Sequence, residues 1–598
     1  MISRRQLLAS SVGITVGNAI PCRAFATEIR TWRHYADSRY GQMHFVSALP
    51  ADTAAPRRTP LVCLHQSPGS GIEYRTFQRV MAEDRPVLCP DTAGYGSSDG
   101  PDEVPDIADY AAALGDALSD LGYGEGGNGP VDLLGFHTGN FIALALAVQR
   151  PDLVRRLVMP GIPYFPAPER EARRQQYAQP RPYFIDPDYV GRSYRSTVLE
   201  SNTAIPVEHL HDLFVSRLMA GPDSWFGFDA VFRFDADAAL AAVDQPVLLP
   251  ILNETLAEPT RRAGKLIPQA KLLELPTLNA TSWFLAPEKI AAVIRPFLDA
   301  PPATGSSAVH ASAAPVANRP RGTARGGVRR WRSYAQCRYG QIHIQHAAPG
   351  ARAANATPLV CLHQSPLSGR IFRELQTAMA SDRAVLSPDT PGFGASDGPD
   401  RQPAMADYGG AIGEALIAAG YGRDANGPVD LFGFHTGSFV ALETAIQYPG
   451  LVRRVVLCGV PYYSAAERMA RQQQFLKPYA FFSDPDYVDV MYKRIVVDGD
   501  KNVSPERRLE RFTDRMRAGP EGEWGPRAVF AYDADQGLRN IRRPVLLMAF
   551  DEVMAQPTRA ARAFIPQAEF MELPDLKMMG FMTHPQRVAD SLRQWLDT

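Results

Sequence analysis

Cysteine is scarce in this chain, with six in 598 residues, and none of the six is spaced for metal or redox chemistry. Cys22 falls in a leader-like N-terminus, while Cys63, Cys89, Cys337, Cys361 and Cys458 form no C-x-x-C and no Cys/His ligand pattern. Cys63 and Cys361 occupy equivalent places in apolar runs, the usual setting of a buried, inert thiol. Charge of one sign is missing as well: 63 Lys+Arg against 64 Asp+Glu leave a formal net charge of −1. That removes the electrostatic ground for a nucleic-acid or anionic-membrane partner. Beyond the N-terminus there is no apolar run of roughly 18 residues, so no membrane span is expected in the body of the chain. No metal site and no cofactor is implied, and a small-molecule substrate is the partner left to consider.

The N-terminus carries its own signal. Ser3-Arg4-Arg5-Gln6-Leu7-Leu8 sets paired arginines before a moderately apolar run that reaches Ile20, and Ala24-Phe25-Ala26 follows. This pattern predicts a twin-arginine leader over residues 1–26 and export to the periplasm or beyond.

A chain of 598 residues exceeds what one hydrophobic core supports, so at least two domains are expected. Internal repetition supplies them. The run Leu61-Val62-Cys63-Leu64-His65-Gln66-Ser67-Pro68 recurs unchanged from Leu359 to Pro366. Asn128 to Leu133 returns as Asn426 to Leu431, and Ile267 to Ala270 as Ile565 to Ala568. Domain 1 is read as residues 27–299 and domain 2 as 328–598. The Ala-, Pro-, Gly- and Ser-rich stretch 300–327 between them reads as a flexible linker.

Within domain 1, Leu61–Leu64, Val87–Cys89, Val131–Phe136, Leu153–Met159, Val247–Ile251 and Leu272–Leu275 are apolar runs without alternation. Such runs predict strands buried on both faces, and the helical patterns between them make the fold class α/β with a mostly parallel sheet.

Three motifs sit at the ends of these strands: His65-Gln66-Ser67-Pro68, Asp91 through Ser98, and Gly135-Phe136-His137-Thr138-Gly139. Domain 2 repeats them at His363-Gln364-Ser365-Pro366, Asp389 through Ser396, and Gly433-Phe434-His435-Thr436-Gly437. In order and spacing they resemble the α/β-hydrolase superfamily, with its oxyanion loop, its glycine-rich turn and its G-x-S-x-G nucleophile elbow. The resemblance implies two tandem α/β-hydrolase folds, each an eight-stranded type of sheet flanked by helices. It also implies helical caps, at about 162–244 and 460–542, whose aromatics (Tyr164, Phe165, Tyr183, Phe184, Trp225, Phe226, Phe228) suit an apolar pocket.

The chain departs from that family at its centre. The nucleophile position holds His137 and His435, and no histidine lies in Leu275 to Trp283 or around Lys577-Met578-Met579, where the base is usually found. Near the usual acid position stand Glu254 and Glu552. The expected site is therefore His137 with Ser67 and Glu254, repeated as His435 with Ser365 and Glu552. Gln66 and Thr138, with Gln364 and Thr436, line the oxyanion side. The alternative for Ser67 is that it caps the following helix. His65, Asp91, Asp132, His44 and His343 are read as structural, and the pair His65 and His137 is too sparse for a metal.

Two functions remain open at this point. One is a cofactor-free enzyme, hydrolase or related lyase, acting on a small apolar ester-like or carbonyl compound. The other is a non-catalytic relative that binds a small apolar ligand. The duplication further suggests that domains 1 and 2 pack as an intramolecular pseudo-dimer.

Overall fold

The computed structural model describes residues 29–50, 58–301, 322–325, 327–350, 356–422, 426–475 and 479–598. The expected leader and most of the expected linker lie outside these residues. In domain 1 the strands are β1 (Ile29–Ser38), β2 (Gly41–Pro50), β3 (Leu61–Leu64), β4 (Val87–Pro90), β5 (Val131–Gly135), β6 (Val154–Val158), β7 (Val247–Leu252) and β8 (Lys271–Leu275). They form one sheet in the order β1-β2-β4-β3-β5-β6-β7-β8. The hairpin β1–β2 and the β2–β4 pair are antiparallel, and the pairs from β4 to β8 are parallel. β3, β5 and β7 are buried along their whole length, because helices cover both faces of the parallel part.

Domain 2 repeats the plan with β9 (Thr323–Arg325), β10 (Val328–Cys337), β11 (Gly340–Pro349), β12 (Leu359–Leu362), β13 (Val385–Pro388), β14 (Val429–Phe434), β15 (Val452–Cys458), β16 (Val545–Phe550) and β17 (Glu569–Leu573). The sheet order runs β17-β16-β15-β14-β12-β13-β11-β10-β9. β9 is an addition: it lies in the stretch expected to be flexible linker, and it pairs antiparallel with the start of β10. An edge strand offers a row of unpaired backbone groups, and the adjoining chain satisfies them whatever its side chains.

A second departure concerns β8. Its apolar run suggests burial on both faces, yet Leu272 is 47% and Leu273 37% exposed. β8 is the edge of its sheet, where helical cover runs out. The β1–β2 hairpin also escapes an apolar-run reading, because Arg33, His34 and Asp37 interrupt β1.

Between β6 and β7 the cap is inserted as helices that include Ala167–Tyr177, Val207–Met219, Phe226–Arg233 and Ala236–Ala242. The helix Val207–Met219 shows why these residues are helical and which way they face. Pro206 precedes it, and Leu210, Phe214, Val215 and Leu218 recur at helical spacing and are buried. Each such side chain removed from water contributes about 2 kcal/mol. This stripe does not stay within its own domain: Phe214 and Leu218 join Tyr183 and Tyr194 in one apolar cluster with Phe481, Tyr492, Phe512 and Met516 of domain 2.

The hairpins meet as well, in a nearly two-fold arrangement. Arg33 pairs with Asp397 at 2.6 Å and Arg332 with Asp99 at 2.8 Å. Tyr35 and Tyr334 stack with centroids 5.7 Å apart. The Tyr35 hydroxyl lies 3.1 Å from His343 Nε2, and the Tyr334 hydroxyl 3.1 Å from His44 Nε2.

Candidate active site

β5 ends at Gly135, and the helix Thr138–Gln149 begins three residues later, so the chain reverses in a very tight turn. His137 sits at its apex with φ 48° and ψ −111°, and His435 with φ 49° and ψ −117°. Such a backbone costs a side-chain-bearing residue about 1–3 kcal/mol, and it is held where the surroundings leave no alternative. Glycine is required beside it: a Cβ on Gly139 would lie 2.2 Å from the Leu64 carbonyl oxygen. The tight strand-to-helix turn is thus closed around an imidazole.

The ring does not stand alone. His137 Nε2 lies 3.0 Å from Glu254 Oε2 just past β7, and the rings of Phe136 and His137 stack at 4.0 Å. In domain 2, His435 Nε2 lies 2.8 and 2.9 Å from the two oxygens of Glu552. A carboxylate only accepts, so Nε2–H donates and the basic lone pair is on Nδ1. Nδ1 of His137 makes no hydrogen bond among the described residues. The other oxygen of the carboxylate, Glu254 Oε1, is buried without a hydrogen-bond partner. Room for the pair comes from a residue that the sequence reading did not single out. Gly161, with φ +68°, follows β6, and a Cβ there would lie 2.4 Å from Glu254 Oε1 and 2.7 Å from His137 Cδ2. Gly459 repeats this beside His435 and Glu552.

His137 forms part of the floor of a cavity of about 310 Å³ under the cap. Gln66, Ser67 and Thr138 line the polar side, with Arg173 and Arg217 reaching in from the cap. Of the seven cap aromatics named from sequence, Phe165 and Phe228 line the cavity, and Tyr177 and Phe232 join them.

Ser67 is where the expected arrangement loosens. The amide of Ser67 donates to Thr138 Oγ1 at 3.3 Å, but no hydrogen bond joins Ser67 Oγ to the His137 ring. The hydroxyl oxygen is buried and turned to the cap, beside the Tyr95 hydroxyl. A Cβ on Gly227 would lie 2.2 Å from Ser67 Oγ and 2.5 Å from the Tyr95 hydroxyl. Ser365 faces Gly525 in the same way, with Phe393 in place of Tyr95. Nor does Ser67 cap the next helical turn, whose N-terminal cap residue is Ser70.

The remaining polar residues brace the loops. His65 donates from Nδ1 to the Gln66 carbonyl at 2.8 Å and accepts the Thr92 amide on Nε2 at 2.9 Å, and burial pushes its pKa down. Asp91 accepts the amides of Gly71 and Ser97 and lies 2.9 Å from His44 Nδ1. Asp132 is held by a two-pronged contact with Arg155 at 2.9 and 2.6 Å. Among the described residues no group of three or more His, Cys, Asp or Glu is gathered as a metal would need. No described helix is long and apolar enough to cross a membrane.

Fold and elbow together define a class, and comparison with known proteins gives its name. The model of the alpha/beta hydrolase family matches residues 61–293 and again 359–591. The chain therefore belongs to the α/β-hydrolase family, twice over. Among curated relatives, 2-hydroxymuconate semialdehyde hydrolase of Pseudomonas sp. (strain CF600) is 36% identical over 110 residues, 17% of this chain and 36% of that protein. Soluble epoxide hydrolase of Corynebacterium sp. (strain C12) is 32% identical over 141 residues, 23% of this chain and 44% of that protein. The chain thus spans less than half the length of these two relatives. Proline iminopeptidase of Heyndrickxia coagulans is matched over 91% of its length at 23% identity, across 40% of this chain. Among solved structures, a thermophilic esterase from Thermogutta terrifontis is 20% identical, with 45% of this chain and 98% of that one covered and a TM-score of 0.36.

Proposed function

We propose that this chain is a cofactor-free hydrolase whose elbow imidazole, backed by a glutamate, works as the base on a small, largely apolar ester-like substrate. One observation carries the reading. At the floor of a capped cavity, His137 holds Glu254 on one nitrogen and keeps the other free, and His435 repeats the pairing with Glu552. In this reading Nδ1 takes a proton from water as the water oxygen adds to the substrate carbonyl. The Thr138 amide, the first of the following helix and free of an intrahelical partner, holds the developing oxyanion. The carbon–oxygen bond to the alcohol then breaks, the alkoxy oxygen takes up a proton, and the imidazolium gives up its own. Glu254 orients the ring and balances its charge. Gln66 and Ser67 offer polar contacts to the bound substrate.

The test is a panel of p-nitrophenyl esters on the wild type and on His137→Ala/His435→Ala. Removing the base is expected to lower kcat/KM by about 10²–10⁴-fold. Activity that survives both substitutions unchanged overturns the reading. The absence of a hydrogen bond between Ser67 Oγ and the ring favours a second reading, a small-ligand binding protein without turnover. Ligand binding in that case persists with no hydrolysis of any ester. We further propose that the two domains act as one pseudo-dimer, supported by their shared cap cluster and their reciprocal hairpin contacts.

A further inference from the structure

The lining of the domain 1 cavity includes one touching pair whose counterparts in domain 2 differ in kind. In domain 1 the oxyanion loop runs His65-Gln66-Ser67-Pro68-Gly69-Ser70-Gly71-Ile72-Glu73, and in domain 2 His363-Gln364-Ser365-Pro366-Leu367-Ser368-Gly369-Arg370-Ile371. Gly69 and Glu73 of the first become Leu367 and Ile371 of the second. They are in contact: a Cβ on Gly69 would lie 2.1 Å from Glu73 Oε1, so the glycine is the space in which the carboxyl sits. In domain 2 both partners are apolar, and both Leu367 and Ile371 pack in the core. A buried carboxyl over a glycine has been exchanged as a unit for two aliphatic side chains.

Glu73 is buried, yet it lines the same cavity as His137, Ser67 and Gln66. A carboxyl in such a place is costly when charged unless it is paired. Its hydrogen bonding is to Gln66, and Arg217 from the cap is the charged group acting on it. Arg173, Tyr177 and His137 are the other titratable groups on the cavity wall. Burial pushes the Glu73 carboxyl up to about 7, with Arg217 and Gln66 drawing it back. An acid that stays protonated near neutrality and a base that is free to accept, in one cavity, are the two halves of acid–base catalysis.

We propose that Glu73 is the proton donor to the leaving group in domain 1, and that domain 2, with Ile371 in its place, works without one. The proposal rests on the hydrolase reading above and assigns it a substrate class, esters of poorly leaving aliphatic alcohols. The step balances as follows. Water gives a proton to His137 Nδ1 and its oxygen bonds to the carbonyl carbon. The bond from that carbon to the alkoxy oxygen breaks, and the alkoxy oxygen takes the Glu73 proton and departs as alcohol. The imidazolium proton restores the Glu73 carboxyl through solvent.

The experiment uses the full chain with domain 2 silenced by His435→Ala, and compares an ethyl ester with its p-nitrophenyl counterpart. A p-nitrophenolate leaves without help, whereas an ethoxide does not. Glu73→Gln is expected to lower kcat on the ethyl ester about 100-fold and on the p-nitrophenyl ester less than about 5-fold. The wild-type fall in ethyl-ester rate above pH 7 should vanish in the variant. The double change Gly69→Leu/Glu73→Ile, a pair that domain 2 already accommodates, should behave like Glu73→Gln and guards against a folding artefact. If the starting protein hydrolyses both esters and Glu73→Gln lowers both equally, or keeps the pH limb, Glu73 is not the donor. If the starting protein hydrolyses neither, the hydrolase reading itself falls, and this proposal with it.

Discussion

At the scale of single residues, the site is a set of trades among burial, charge and backbone strain. His137 occupies a backbone conformation that L-residues avoid, and the Glu254 contact and the Phe136 stack secure the ring from two sides. Glu73 is the costlier resident. Its carboxyl is raised from an ordinary 4.5 to about 7, chiefly by burial. The folded protein thus binds this proton more tightly than the unfolded chain does. The stability that goes with it is complete below pH 4.5 and is lost as pH rises through 7. Relative to Glu73→Gln, the wild type is expected to lose about 3 kcal/mol of unfolding free energy across that window. Urea unfolding at pH 5 and pH 7.5 checks this, and parallel changes in the two proteins would refute it. Sequence reasoning reached His137 by motif and Glu254 by counting from the end of a strand. It passed over Glu73 because a lone Glu before Tyr74 has no periodicity or motif to mark it. The available signal was the comparison of copies, since Gly69 and Glu73 change together just after eight residues that do not change at all.

At the scale of elements, the central strands were readable because burial on both faces forces unbroken apolar runs, as in Val131–Gly135 and Val247–Leu252. The hairpins were not, because their polar residues are buried by partners that lie far along the chain. Among the described residues, Arg33 and Arg332 find their side-chain partners in the opposite domain. One cross-strand contact shows how strictly the hairpin register is kept. In domain 1, His34 Nε2 lies 2.8 Å from Ser47 Oγ, and in domain 2, Ser333 Oγ lies 2.8 Å from His346 Nε2. Trp32 opposes Ser47 just as Trp331 opposes His346, so the histidine and serine have swapped strands at matching positions. Burial pushes His346 down to about 3, so its neutral ring stabilises domain 2 above pH 6.5 and that share is lost as the pH falls towards 3. Either single change, Ser333→His or His346→Ser, is expected to cost about 1–2 kcal/mol, and the double change to restore most of it. A double-mutant cycle by thermal unfolding measures the coupling, and strictly additive losses would contradict it.

At the scale of the whole molecule, the caps share an apolar cluster in which residues of both domains take part, so neither cap buries that face by itself. Domains 1 and 2, co-expressed as separate chains, are expected to form a one-to-one complex. Sedimentation of the mixture tests this, and two independent monomers would count against the pseudo-dimer. Joining the halves in one chain also has a consequence for inheritance. In a homodimer every substitution appears in both subunits, so neither site can change without the other. Here the two loops are written separately in one gene, and each can be edited alone. Gly69 with Glu73 on one side and Leu367 with Ile371 on the other form a divergence that no symmetric assembly of identical chains could carry.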